Sequence, residues 1–379
     1  MLTSQKHKFS IDEDIIWLNG SYMSPQLKQV EEAGIAALKR KSTPWTIPAQ
    51  DFFNEVEEVK KIFARLINVP DPSRVAIIPS VSYGIANVAR NIKFEKGDEI
   101  LLVDQLFPSN YFIWKKIADE NGLKLRIIKA PDTLTDRGQK WNEEILEAIQ
   151  SNAKVISLEH CHWADGTRFD LQAIRDATLK VGALMIIDGT QSIGAYPFDQ
   201  NQFKADALIV AGYKWLLGPY SIGLAYYSEY FDHGDPIEHN WINKVNSEVF
   251  EKLTEYEESF KPGAARYSMG EQSQFIQAPM LKTALTQLVE WGQDNIQAYT
   301  GELIKSVLPI LSEKNIWIED EDYRGNHLFG LRPHYKIDSN LKNKLIENKV
   351  FVSYRSDAIR VSPNVYNTSD DLHKLAALL

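Results

Sequence analysis

ALMIIDGTQSIGAYPFDQNQFKADALIVAGYKWLLGP, residues 183–219, decides how this chain is read. Two of its runs, ALMIID and ADALIVAG, place aliphatic side chains in succession instead of at alternate positions. Such a strand is buried on both faces, as in a parallel sheet covered by helices. The first run ends on Asp188, and the second leads through Gly212 and Tyr213 into Lys214. Ligands of an open parallel sheet sit beyond the carboxyl ends of its strands, so these are the residues to examine for chemistry.

Working outward, runs of the same kind recur at RVAII from Arg74, EILLV from Glu99, LKLRII from Leu123, KVISLEH from Lys154 and IGLAYY from Ile222. Between most of them lie amphipathic stretches: EVEEVKKIFARLINV from Glu55, YFIWKKIADENG from Tyr111 and DLQAIRDATLKVG from Asp170. The last two close on a glycine, where a helix commonly ends. The alternation predicts an α/β fold with a mainly parallel seven-stranded sheet carrying helices on both faces. The last third reads differently. A helical region from about Gln274 to Leu311 leads to strands near HLFGLR, VFVSYR and AIRVSP and a final helix from Ser369, which predicts a smaller α+β domain. At 379 residues the chain exceeds the ~250–300 at which single cores stop growing. The expected division is a large domain over 15–270 and a small one over 271–379 joined by the N-terminal segment 1–14, with a cleft between them.

Composition narrows the function. A net charge of −9 and the lack of a Lys/Arg block interleaved with aromatics argue against nucleic acid as a partner. No apolar run approaches the ~18 residues that span a bilayer, and MLTSQKHKFSIDED has no apolar core of a secretory signal, so the expectation is a cytoplasmic protein without a membrane partner. The single cysteine, Cys161, rules out an intrachain disulfide framework and a Cys-rich metal site; no metal is expected.

The residues that follow the apolar runs form a chemical set. A carboxylate (Asp188), a lysine among small and aromatic residues (Lys214), a hydroxyl-rich helix start (Ser82, Tyr83) and an aromatic ring (Phe107) all fall at carboxyl ends of one sheet. Singly each has a bland reading as a cap, a solvated charge or a core ring. Together they are what pyridoxal 5'-phosphate requires. Its pyridine nitrogen stays protonated only against a buried carboxylate such as Asp188. Its aldehyde forms a Schiff base with an amine, which suits Lys214 if burial lowers its pKa. Its phosphate seeks N–H groups at a helix start with hydroxyls, which Ser82, Tyr83 and the phenol of Tyr213 offer. Its flat ring stacks on a ring such as Phe107.

The chain also resembles the class V aminotransferases among fold-type I pyridoxal-phosphate enzymes, which include cysteine desulfurases, kynureninases and isopenicillin N epimerase-like proteins. The resemblance runs from WLNGSYMSP at Trp17 through PSVSYGIAN, QLFPSN, DGTQSIGAYPFD and AGYKWLLGPYSIGLAYY to IRVSPNVYNTSDDL at Ile359. It implies that Lys214 is the Schiff-base lysine, Asp188 the pyridinium partner, Gln191 a neighbour of the cofactor's phenolic oxygen and Phe107 the stacking ring. It further implies that Arg360 holds the substrate α-carboxylate through its planar fork. Asn19 matches an N-terminal residue near the substrate, and Trp163 falls where relatives place a polar side chain near the cofactor oxygen, a place its indole N–H can fill. Two departures stand out: Ala211 replaces a Ser or Thr that contacts phosphate, and ARYSMGEQSQF from Ala265 replaces a small loop that in relatives reaches the partner subunit's cofactor. A homodimer with the site at its interface is implied.

The expected chemistry is attack on an amino acid at Cα, with Lys214 removing the proton and the outcome set by geometry. Sulfur transfer is rejected, because Phe351–Ile359 holds no cysteine ahead of Arg360. Kynureninase-like lysis is weakened by Asn110, where those relatives carry Asp. A β-lyase needs an acid near the leaving group, for which Tyr22, His162 and Tyr354 are candidates. Transamination is the first choice, with β-lyase and epimerase as alternatives. A non-catalytic binding protein is the alternative of another class, opposed by the joint presence of Lys214, Asp188 and Arg360.

Overall fold

The computed structural model describes residues 2–379. A short strand β1 (Ile16–Trp17) precedes the main sheet of β2 (Val75–Ile78), β3 (Glu99–Val103), β4 (Lys124–Ile128), β5 (Ala153–Glu159), β6 (Leu184–Asp188), β7 (Ala207–Ala211) and β8 (Gly223–Tyr227). Each corresponds to one of the apolar runs. Their order is β2-β8-β7-β6-β5-β3-β4. Strand β8 runs antiparallel to both neighbours and the other pairs are parallel, so the sheet is mainly parallel, as expected.

Helices α1 (Lys28–Arg40), α2 (Asp51–Leu66), α3 (Val81–Arg90), α4 (Pro108–Asn121), α5 (Arg137–Ala148), α6 (Leu171–Val181) and the single turn α7 (Gln200–Phe203) accompany this sheet. They form where the pattern and the caps agree. Along α2, Val56, Val59, Phe63 and Leu66 recur at helical spacing and are buried. At α6 the Asp170 carboxylate accepts from the Ala173 N–H at 3.0 Å, and Gly182 ends the helix at φ +73°.

The helical region predicted over 274–311 is divided into α8 (Gln277–Trp291), α9 (Gln293–Lys305) and α10 (Leu308–Glu313). Gly292 interrupts it with φ +75° and ψ 132°, a conformation that cannot continue a helix. Beyond it come β9 (Ile316–Ile318), β10 (Phe329–Pro333), α11 (Ser339–Glu347), β11 (Val350–Phe351), β12 (Ser353–Arg355), β13 (Ala358–Val361) and α12 (Ser369–Leu378). Four of these strands make an antiparallel sheet in the order β12-β13-β10-β9, while β11 pairs in parallel with β1.

The apolar interior falls into two clusters, and their membership follows packing more than chain position. Ile16 and Leu18 join Leu303, Ile304, Phe329, Ile359 and Leu372 in the smaller one. Helix α8, expected with the smaller unit, instead packs on α1 and α2 and contributes Leu281, Leu285 and Leu288 to the larger. Among the described residues no helix is long and apolar enough to cross a membrane, and no group of His, Cys, Asp and Glu is arranged to hold a metal ion.

Candidate active site

Strands β5 and β6 lie side by side in register, with Glu159 opposite Asp188, so two carboxylates leave the sheet together at its carboxyl edge. Asp188 is buried. Its Oδ1 accepts from the Thr190 N–H at 2.9 Å and its Oδ2 from the Asn110 amide at 2.8 Å. Glu159 is 1% exposed; its Oε1 accepts from the Phe107 N–H at 3.3 Å and its Oε2 has no partner in the protein. Burial pushes its carboxyl up to about 8, with the Asp188 charge adding to the rise against the pull of His162.

Lys214 follows β7 in a tight turn. The turn brings Gly212 against the Ile222 carbonyl so closely that any Cβ there would collide with it, which explains the glycine before Tyr213. Lys214 is 7% exposed, with its Nζ 5.6 Å from the centroids of both the Phe107 and Tyr213 rings. Burial lowers its amine from the ordinary 10.5 to about 8; Asp188 and Glu159 resist that fall, while Arg360 and Arg355 assist it.

These groups border a cavity of ≈ 230 Å³, whose wall also holds Ser82, Trp163, Gln191 and Tyr213. Seven of the residues picked from the sequence, counting Phe107, Asp188 and Lys214, thus share one cavity. A second cavity of ≈ 450 Å³ shares Phe107, Trp163, Tyr213 and Lys214 with the first and extends to Tyr22, Arg355 and Arg360. Arg360 is 1% exposed, and donates from Nη1 to the Trp163 carbonyl at 2.7 Å and from Nη2 to the Ser353 hydroxyl at 3.2 Å.

Several expectations need correction. The Tyr83 phenol turns away and donates to Glu238 at 3.0 Å, and its backbone N–H is taken by the Ser80 hydroxyl that caps α3, so it offers phosphate nothing. The Trp163 indole N–H donates to the Gln105 carbonyl at 2.6 Å; its ring instead meets Phe107 edge-on at 5.4 Å. Asn19 lies behind the wall, where its amide oxygen accepts from the Ser353 hydroxyl and braces the group that holds Arg360. Of the candidate acids, His162 is engaged by Asp165 at 3.2 Å and the Asp104 carbonyl at 3.1 Å. Tyr354 alternates away from its neighbours on β12 and lies beneath the Lys342 amine. Only Tyr22 borders the cleft.

The comparisons with known proteins agree with this architecture. The family model described as "Aminotransferase class-V" matches residues 45–375. The chain belongs to the class-V aminotransferase family. A probable cysteine desulfurase of Pyrococcus abyssi is 26% identical over 347 residues, covering 85% of this chain and 82% of that protein. The uncharacterized aminotransferase YcbU of Bacillus subtilis is 24% identical over 349 residues, covering 89% and 85%. The solved complex between the cystine C-S lyase C-DES and its reaction product cysteine persulfide superposes with a TM-score of 0.84 at 19% identity, covering 96% of this chain and 97% of that one.

With the class-V family comes pyridoxal 5'-phosphate as cofactor, and the cavity suits it. Glu159, on the cavity wall, keeps its buried Oε2 without a protein partner, as in a site that receives a polar guest. Phe107 offers a flat neighbour, Asp188 a buried carboxylate, Lys214 a buried amine, and the start of α3 an anion-binding end beside Ser82. The hydroxyl missing at Ala211 has substitutes on the same wall in Thr190, whose Oγ1 accepts from the Ala211 N–H at 3.1 Å, and in Ser221. Sequence reasoning missed Glu159, although it stands next to last in one of the quoted runs, and Asn110, which it noted only as a departure. It also missed Arg355, which lies in the segment searched for cysteine.

Proposed function

We propose that this chain is a pyridoxal-phosphate enzyme that takes the α-proton of an amino acid with the amine of Lys214, and that the overall reaction is transamination. The observation that carries this reading is the Lys214 amine, buried at the junction of the two cavities and lowered to about 8. An amine so placed holds no proton for a useful fraction of the time near neutrality, which a general base requires. When bound, the cofactor supplies an aldehyde for the substrate amine and a ring into which electrons from a broken Cα bond can spread. The chain supplies the rest. Asp188 would pair with the ring nitrogen, Ser82 and the start of α3 would hold the phosphate, Phe107 would lie against the ring, and Arg360 would orient the α-carboxylate.

The choice among outcomes rests on which proton carriers border the cleft. Epimerisation needs a second carrier besides Lys214, for which Tyr22 is the candidate on the cleft wall. A desulfurase-like thiol is missing from the β12–β13 hairpin. Cys161 is fully buried at the end of β5 with its thiol pushed up to about 12. A single lysine that takes a proton at one carbon and returns it at another suits transamination. Loss of a β-substituent is the second reading, favoured by Tyr22, whose phenol borders the substrate cavity. Assembly as a homodimer is part of the proposal. A cavity of ≈ 970 Å³ lined by Phe52, Trp241, Phe275 and Pro279 and the 81% exposure of Trp45 support a second copy against that face.

The test is to mix purified protein with a panel of amino acids and follow the cofactor spectrum. Wild-type protein should show the visible absorbance band and Lys214→Ala should lack it. Transamination converts the band to that of the amine form and a keto acid restores it; release of pyruvate without conversion marks a lyase. Wild-type protein that acquires no band after incubation with the cofactor would refute the proposal.

A further inference from the structure

Antiparallel pairing decides which side chains of the smaller sheet look toward the cleft. Ser353 stands opposite Arg360, and Arg355 lies two residues further along β12, so all three share one face. Gly330 is also opposite Arg360, which puts Arg332, two residues along β10, on that face as well. Three guanidiniums therefore meet on one surface, and they are treated differently by their surroundings. Arg332 has acids, Asp165 at 2.8 Å and Asp357 at 3.1 Å.

Arg355 and Arg360 have only neutral partners among the described residues: the Tyr354 carbonyl at 2.7 Å for one, and the Trp163 carbonyl and Ser353 hydroxyl for the other. The Nε of each is buried without a partner. Both guanidiniums flank the Trp163 ring, at 5.1 and 6.0 Å from its centroid, and both border the ≈ 450 Å³ cavity that opens onto Lys214. Burial works against the charge of both, and Arg355 adds repulsion that helps bring Arg360 down to about 9. A single carboxylate answers only one of these two charges. Two partly buried cations without acids of their own mark a place where the guest brings the negative charge.

We propose that the substrate amino acid carries a second anionic group at the end of its side chain and that Arg355 binds it while Arg360 holds the α-carboxylate. The substrate class is that of dicarboxylic amino acids, since a planar fork matches a carboxylate. This inference rests on the proposed function and adds the identity of the side chain to it.

The experiment is a calorimetric titration of the cofactor-loaded protein with succinate and with butyrate, which have equal chain length and differ in one carboxylate. Wild-type protein should bind succinate about 10- to 100-fold more tightly, the range of a charge-assisted hydrogen bond. Arg355→Met should bring that ratio close to one by weakening succinate alone. Arg355→Lys, which keeps the charge and loses the fork, should fall between and guards against a misfolded Met variant. Equal weakening of both ligands in Arg355→Met would mean that the two arginines share one carboxylate and would overturn the proposal, as would a wild-type protein without the preference. The visible absorbance of each sample separates the two failures. Wild-type protein without absorbance contradicts the proposed function, whereas absorbing protein without the succinate preference contradicts only the dicarboxylic reading.

Discussion

Replacing Lys214 with Met should make the cofactor-free protein more stable, and by an amount that depends on pH in a defined way. The amine falls from 10.5 to about 8 in the folded chain because burial disfavours its charge. Each tenfold change in proton affinity is worth about 1.4 kcal/mol, so folding with this lysine protonated costs about 3 kcal/mol. The folded pKa is the lower one, so between about 8 and 10.5 the unfolded chain binds more protons and stability rises with pH. Below about 8 the full cost is present; above about 10.5 both states are neutral and it has gone. Met keeps most of the apolar stem without the charge. The loss of an attractive neighbour for Asp188 and Glu159 trims the gain, so about 3 kcal/mol is an upper value. The assay is urea unfolding of cofactor-free wild type and Lys214→Met at intervals from pH 6 to 11, reading the midpoint and slope of each curve. The variant should be the more stable at pH 7, with the difference shrinking toward zero by pH 11. A difference that stays constant across this range would refute the reasoning, because it would place the effect in packing and not in a buried charge.

Glu159 should show the opposite limb. Its folded pKa, raised to about 8, lies above the ordinary 4.5, so the folded chain binds the extra proton and stability is lost as pH rises from about 4.5 to 8. Glu159→Gln should flatten that limb and gain about 3–5 kcal/mol at pH 9 relative to wild type, read from the same unfolding curves; a variant that keeps the full decline would move its cause elsewhere. Asn110→Leu should weaken cofactor binding about 10-fold. The change removes an amide donor 2.8 Å from Asp188 Oδ2 and leaves that buried oxygen unpaired. Equilibrium dialysis against the cofactor measures it, and unchanged affinity would separate Asn110 from the Asp188 carboxylate's function.

The fold was legible because its strands announce themselves: seven runs of successive aliphatic residues became the seven strands of one sheet. The helix ends at Gly122 and Gly182 were legible for the same reason, being local chemistry read at short range. Gly292 is local too, but a lone glycine in a helical pattern leaves two outcomes open, tolerance or a break, and only its φ of +75° decides. Strand β9 is three residues long and takes its conformation from β10, which no periodicity could reveal. At the site, residues with a role in the turn after a strand were readable, while orientation was not. Tyr83 and Trp163 were assigned polar duties near the cleft, yet their polar atoms are claimed by Glu238 and the Gln105 carbonyl, partners distant in sequence or in an adjoining loop.

The cleft's charges have an order that neither the motifs nor the sheet alone explains. Carboxylates, Asp188 and Glu159, stand at the edge of the large sheet; guanidiniums, Arg355 and Arg360, come from the hairpin of the small one. Lys214 lies between, and its proton affinity is a balance of these walls, raised by the acids and lowered by the arginines on top of burial. An incoming carboxylate on the arginines would cancel the part of the field that lowers the lysine. Substrate binding therefore raises the proton affinity of the amine, against the lowering by burial that leaves it unprotonated near neutrality. The large sheet and the small hairpin thus act in opposite directions on one pKa, and the same arginines that lower it also wall the cavity.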